Sequence, residues 1–339
     1  MRRLTLVSVL VTTVFVPASA RAATTPSAAS PPVTTPAAPE APAPPPAAPL
    51  QTHLALQFDR VGGVLATALT GAPVVVRGTT DAFAPDQTVV VRFYVSGRKL
   101  AARRVSLLPQ AGGGGGFALS FTSPRPGALV VLATHDATPA LAGFATRTHS
   151  VDVIPRRVTP RSGRSSIRAL QRRLRELGYV TGAPGVYDER TGRAVLAFRK
   201  VAGLDRNANA SANVMHAIAR GAGRFVVAHP EQGRHVEADL SRQVLALIEQ
   251  GRAVAIYPIS SGKPSTPTVL GSYRVYTKTP GTNEKGMVDS SYFFRGYAIH
   301  GYFSVPTYAA SHGCLRIPVP DAATVFNWVT VGTPVDVYR

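Results

Sequence analysis

Tyr297-Ala298-Ile299-His300-Gly301-Tyr302-Phe303, followed by Ser311-His312-Gly313-Cys314-Leu315-Arg316, decides how this 339-residue chain is read. Cys314 is its only cysteine, so no internal disulfide can involve it. One histidine stands two residues before it and another fourteen before it. A thiol needs a base to ionise near neutral pH, and imidazole is the usual partner. A lone cysteine is most often a small buried apolar residue. Two histidines, with glycines on both sides of the step, argue here for a nucleophile. The Gly313-Cys314 step suits acyl transfer, because a residue without a side chain lets backbone N–H groups converge on a developing oxyanion.

The opening residues predict where such chemistry would occur. Arg2-Arg3 precede an apolar run from Leu4 to Val16, and Ala18-Ser19-Ala20 and Ala20-Arg21-Ala22 both offer an A-x-A cleavage site. The run is short for a membrane span, so a cleaved secretory signal over residues 1–22 is expected, with an uncleaved membrane anchor as the alternative. The absence of a cysteine after the run excludes a lipoprotein anchor. Residues 23–50 are nearly all Ala, Pro, Thr and Ser, which predicts a disordered, semi-extended linker. With 37 Lys and Arg against 18 Asp and Glu, the net charge is +19, and an anionic partner is expected. Export favours the carboxylate and phosphate polymers of a cell wall over nucleic acid. Nothing implies an obligate protein partner.

Some 290 further residues are too many for one core and suggest two or three domains. Residues 51–155 hold short β-branched runs, Pro73–Arg77, Thr88–Val95, Leu129–Ala133 and Ser150–Ile154, with Gly112–Gly116 as a hairpin tip. That spacing predicts an antiparallel β-sandwich resembling the immunoglobulin-like modules of bacterial wall proteins. His53, His135 and His149 are scattered and read as surface residues. From Ser165 the period becomes helical, with Ile167, Leu170, Leu174 and Leu177 on one face and arginines on the other. Gly178 ends that helix, and Thr191 opens a second carrying Ala194, Val195 and Phe198. From Arg224 to Arg339 most segments read as strands, ending in a helix over Asp321–Val329, with Trp328 as a core anchor, and a strand over Pro334–Tyr338.

Two resemblances follow from these residues. Ala169-Leu170-Gln171-Arg172-Arg173-Leu174, Leu177-Gly178-Tyr179, Gly185-Val186-Tyr187-Asp188 and Thr191-Gly192-Arg193-Ala194-Val195 resemble the short three-helix peptidoglycan-binding domain, over residues 162–221. Arg199-Lys200 depart from that pattern, which has glutamine after the phenylalanine. Residues 224–339 resemble the catalytic domain of the L,D-transpeptidases, the YkuD-type fold. Here His300-Gly301 precede Ser311-His312-Gly313-Cys314, with Ser261-Gly262-Lys263, Thr266-Pro267-Thr268, Gly271 and Tyr273 upstream. Val269 stands where a second proline is common, Arg316 where asparagine is common, and the gap from His300 to Ser311 is short.

The second resemblance implies a mostly β fold, no cofactor and no metal. It implies that Cys314 attacks the third residue of a stem tetrapeptide, releases D-alanine and passes the acyl group from a thioester to an amine. In that reading His300 is the base, oriented by a backbone carbonyl near Gly301, and the Gly313 and Cys314 N–H groups hold the oxyanion. Ser311, His312, Arg316, Gly301 and Tyr302 are expected to contact substrate. Arg316 would hold a carboxylate, or else brace its loop by pairing with an acid such as Asp321. A carboxypeptidase using the same site and a non-enzymatic wall-binding protein stay open as alternatives. A zinc site of His300, His312 and Cys314 lacks a spaced fourth ligand. Residues from Arg224 onward are expected to fold alone.

Overall fold

The computed structural model describes residues 47–59, 61, 66–148 and 150–339. The expected signal, most of the Ala/Pro tract and His149 lie outside the described residues. Among the described residues no helix is long and apolar enough to cross a membrane.

Ten strands come first: β1 (Leu54–Asp59), β2 (Thr67–Leu69), β3 (Pro73–Thr80), β4 (Thr88–Val95), β5 (Arg98–Ser106), β6 (Leu108–Pro109), β7 (Gly115–Thr122), β8 (Gly127–His135), β9 (Phe144–Arg147) and β10 (Val151–Ile154). They form one sheet in the order β1-β3-β7-β6 and another in the order β2-β10-β8-β4-β5, with β9 on β8. Strict alternation in β4 turns Val89, Val91, Phe93 and Val95 inward. Phe93 stacks on Phe121 of the other sheet with ring centres 4.2 Å apart, and both sheets share one apolar core. The glycine run is only partly a hairpin tip. The turn closes where Gln110 N–H donates to Gly114 O, and Gly115 and Gly116 already belong to β7. His135 departs from the surface reading: it is buried, with Nδ1 2.9 Å from Thr88 O.

Three helices follow: α1 (Arg164–Glu176), α2 (Glu189–Val201) and α3 (Ala212–Ala219). Gly178 ends α1 in the left-handed region at φ +91°. Asp188, rather than Thr191, starts α2, because its carboxylate accepts the Thr191 N–H and caps the helix. The inner faces of all three helices bury Leu170, Leu174, Val195, Phe198, Val214 and Met215.

The rest comprises β11 (His235–Asp239), β12 (Val244–Glu249), β13 (Arg252–Pro258), β14 (Gly271–Arg274), β15 (Thr277–Thr282), β16 (Val288–Phe294), β17 (Tyr297–Tyr302), β18 (Leu315–Pro318), helix α4 (Val319–Trp328) and β19 (Pro334–Tyr338). One sheet runs β13-β12-β11-β19-β14 and the other β15-β16-β17-β18. They enclose a core of Val236, Leu245, Leu247, Ile299, Leu315 and Ile317, among others, with α4 contributing Ala322 and Val325. Trp328 is not in that core. It sits at its rim, where Nε1 donates to Glu249 and the Arg234 guanidinium lies 4.2 Å above the ring.

The helical segment shares its core with both neighbours. Leu69, Ile154 and Val158 pack on it from one side, and Val244, Ala246, Ile248 and Ile256 from the other. Residues Ala47–Arg339 accordingly form one compact unit. Exposing Val244, Ile248 and Ile256 would cost on the order of 5–8 kcal/mol. That is comparable with the whole stability of a typical domain. The packing therefore opposes independent folding from Arg224 onward.

Candidate active site

Strands β17 and β18 run parallel, with His300 opposite Arg316 and Ile299 opposite Leu315. Side chains alternate along a strand. Ile299, Leu315 and Ile317 are buried in the core on one face. The other face carries His300, Tyr302, Arg316 and, one residue ahead of β18, Cys314. The register thus makes Cys314 and His300 diagonal neighbours on rigid backbone, despite the thirteen residues between them in the chain.

His300 is 2% exposed, and Nδ1 lies 2.9 Å from the carbonyl of Gly301. A carbonyl only accepts, so Nδ1 carries the proton and the neutral ring keeps its lone pair on Nε2. Burial, and then the nearby positive charge of Arg316, hold its pKa below the usual histidine value, against the pull of that hydrogen bond. Gly301 does not meet substrate: a Cβ there would come 2.6 Å from Ala322 Cβ of α4, so the residue faces the core. Its part is the carbonyl that orients His300.

Cys314 Sγ lies 3.6 Å from the carbonyl of Gly296. Burial raises the thiol pKa, while the Ala298 backbone and the charges of Arg316 and Lys285 pull it down. Both directions favour a neutral thiol beside a neutral imidazole over an ion pair.

The turn ahead of the cysteine is held from inside. Ser311 is fully buried; its Oγ donates to Cys314 O at 2.6 Å and accepts the Gly313 N–H at 3.0 Å. It is a turn staple, not a substrate contact. The same bond engages the Gly313 N–H, so that amide is not an oxyanion donor in this geometry. Gly313 is needed for another reason: its φ is +118°, and a Cβ would fall 2.2 Å from the Tyr297 ring.

Thr268 was not singled out as a site residue, yet its buried hydroxyl donates to Gly313 O at 2.7 Å and accepts the Gly262 N–H at 2.8 Å. In a trans peptide the N–H points opposite the carbonyl. Fixing Gly313 O therefore aims the Cys314 N–H away from Thr268. Only the matching Thr266-Pro267-Thr268 run hinted at this, and nothing in it reveals the partner.

Arg316 does not pair with Asp321, whose buried carboxylate is taken by Arg190 and Arg193 of α2. Its guanidinium instead lies 4.1 Å above the Tyr302 ring, which meets His300 edge-on at 5.7 Å. His312 stands apart, exposed, with Lys263 Nζ 3.4 Å from its Nε2. Among the described residues, no three His, Cys, Asp or Glu side chains converge as metal ligands. Gly296 and Lys285 complete the surroundings of the thiol, with Tyr297 beside Gly313, and none of the three was singled out as a site residue.

Residues 233–337 match the L,D-transpeptidase catalytic domain (YkuD), and residues 163–218 match the peptidoglycan binding domain. A crystallised L,D-transpeptidase fragment from Xylanimonas cellulosilytica is 33% identical, over 54% of this chain and 97% of that one, with a TM-score of 0.49. The chain belongs to the YkuD L,D-transpeptidase family. L,D-transpeptidase 1 of Mycobacterium tuberculosis is 27% identical over 30% of this chain, and this chain spans about half, 48%, of that curated relative. The catalytic domain of the Enterococcus faecium L,D-transpeptidase is 28% identical, over 32% of this chain and 98% of that one, at a TM-score of 0.28. In this YkuD-family chain the domain matched to peptidoglycan binding precedes the catalytic one and shares its core.

Proposed function

We propose that this chain is an exported L,D-transpeptidase that cross-links peptidoglycan through a thioester on Cys314. The observation that carries the reading is the placement of His300 and Cys314 as diagonal neighbours, with Nδ1 engaged by Gly301 O and the lone pair on Nε2. Nε2 takes the Sγ proton as sulfur attacks the carbonyl carbon of the third stem residue. The Cys314 N–H, aimed by Thr268, receives the oxyanion. The carbon–nitrogen bond to D-alanine breaks, and His300 returns the proton to that amine. An acceptor amine then attacks the thioester, the carbon–sulfur bond breaks, and the amine proton passes through His300 to sulfur.

Arg316 and Tyr302 border this face, and Arg316 is the group assigned to a stem carboxylate. Export rests on Arg2-Arg3, the Leu4–Val16 run and the two A-x-A sites. The helical domain is assigned to peptidoglycan, the net positive charge to anionic wall polymers, and the two-sheet domain to an immunoglobulin-like spacer. The test is intact-mass analysis of the full chain with a tetrapeptide stem and an amine acceptor. The expected result is an acyl adduct on Cys314, D-alanine release and a cross-linked product, all lost in Cys314→Ala. Turnover surviving in that variant would sink the reading. D-alanine release with no cross-linked product would reassign the chain as a carboxypeptidase.

A further inference from the structure

Lys200 is one of the two residues by which the helical domain departs from its family pattern. It lies in the last turn of α2, is 4% exposed, and its ammonium donates to two backbone carbonyls, Gln243 O and Ile259 O, both at 3.0 Å. A buried ammonium held by carbonyls rather than a carboxylate is costly. What it grips is the scaffold of the site. Ile259 precedes Ser260, whose N–H and C=O pair with the backbone of Arg316 at 3.0 and 3.1 Å. The next carbonyl, Ser261 O, accepts both the Ala310 and Ser311 N–H groups at 2.9 Å. Gln243 is tied to the same place, since its side chain accepts the Ser261 N–H and donates to Ser261 Oγ.

A second contact from the helical domain reaches the intervening loop. Arg206 donates to Thr307 O at 3.0 Å and to Ser241 O at 2.7 Å. Thr307 lies on the segment that joins the His300 strand to the Cys314 turn. Lys200 thus grips the segment whose Ser260 and Ser261 pair with Arg316 and Ser311, and Arg206 the chain that leads into them.

The geometry points to Lys200 and Arg206 as positioning residues of the catalytic site, supplied by the peptidoglycan-binding domain through the Ile259–Ser261 backbone and the Thr307 loop. That domain is then part of the catalytic scaffold and not only a tether. The inference rests on the proposed transfer reaction, with Cys314 as its nucleophile. Neither residue touches substrate; each acts through the backbone that sets the Cys314–His300 relation.

The experiment compares the full chain with Lys200→Met, Arg206→Ala and Arg206→Lys, at a temperature where circular dichroism shows each fully folded. Two readouts are taken: kcat and KM on a tetrapeptide stem, and the pH profile of Cys314 alkylation by iodoacetamide. Lys200→Met is expected to lower kcat by about tenfold or more, as small misplacements of reacting groups do. It should also shift the alkylation profile. Arg206→Ala is expected to raise donor KM several-fold, with partial recovery in Arg206→Lys. A merely stabilising role would leave the rate constants and the profile of folded molecules unchanged, and that result in both Lys200→Met and Arg206→Ala overturns the inference. Should Lys200→Met fail to fold, the exposed Arg206 variants decide. If the native chain releases no D-alanine, the transferase reading fails, while the alkylation profiles still test the positioning.

Discussion

Arg316 faces Tyr302 with its guanidinium 4.1 Å from the ring centre, and its partner across the ladder is His300. The arginine is thereby held flat, at the edge of the site, by a stack worth about 0.5–1 kcal/mol if exposed. Its charge reaches both His300 and Cys314 and pulls each pKa down, although burial still leaves the thiol above its ordinary value.

Arg316→Lys keeps the charge and loses the planar fork. Donor KM should rise several-fold, while iodoacetamide labels Cys314 at the native rate. Equal slowing of both reactions, with a lower melting temperature, would move Arg316 from recognition to scaffolding.

The pH dependence of the thiol separates a neutral pair from an ion pair. Burial sets the Cys314 thiol above its ordinary value of 9.0, so alkylation should keep rising through pH 9 instead of levelling near neutrality. Lys285→Gln removes a charge that favours the thiolate and should move the curve to higher pH. A curve that levels near pH 7 would show a resting thiolate–imidazolium pair.

Thr268→Val keeps the shape and deletes the hydroxyl that fixes Gly313 O. With the Cys314 N–H freed to tilt, acylation by a stem peptide should slow by about 10–100-fold, the scale of a weakened oxyanion donor. Alkylation, which forms no oxyanion, should be unchanged. Native acylation in this variant would remove Thr268 from the mechanism.

Lys200 links stability to pH. Burial, with a smaller push from Arg206, lowers its pKa from 10.5 to about 7. Between these values the unfolded chain binds the extra proton, so the Lys200 contribution to stability grows as pH rises from 7 towards 10 and is lost as pH falls through 7. At about 1.4 kcal/mol per pKa unit the effect reaches a few kcal/mol. Chemical denaturation at pH 7, 8 and 9 should show this rise in the native chain and a flatter dependence in Lys200→Met. Identical slopes would place the ammonium in water.

Truncation tests the shared core. Residues 224–339 alone should unfold at much lower denaturant than the native chain, or precipitate, because Val244, Ile248 and Ile256 lose their cover. A truncated form as stable as the native chain would mean that this packing is dispensable.

The sequence exposed what local patterning controls. Short β-branched runs located β3, β4, β8 and β10, helical spacing located α1, and the two His-Gly steps located the place where His300 and Cys314 become neighbours. What it hid depends on partners distant in the chain. Ser311 looked like a cleft residue because hydroxyls near nucleophiles often are, yet its position inside the turn is set by the Cys314 carbonyl and the Gly313 amide. Asp321 seemed free to meet Arg316, and only tertiary packing delivers two α2 arginines to it. Trp328 looked like core by size, although its indole N–H needed Glu249 and so settled at the rim. The Arg199-Lys200 departure blurred a family pattern without showing that the lysine reaches another domain.

Strand β19 lies between β11 and β14 and is the partner both require, parallel to the first and antiparallel to the second. Cys314 precedes β19 in the chain, so a polypeptide emerging amino end first presents it before the sheet packed behind its strands can close. Burial of Ile299, Leu315 and Ile317, on the core face of the strands that carry the site, is thus delayed by the order of synthesis or passage. During that interval the strands that hold the sulfur lack their core, and the thiol is open to oxidants and stray electrophiles. Rapid capture of the last strand would therefore be a chemical safeguard as much as a folding step.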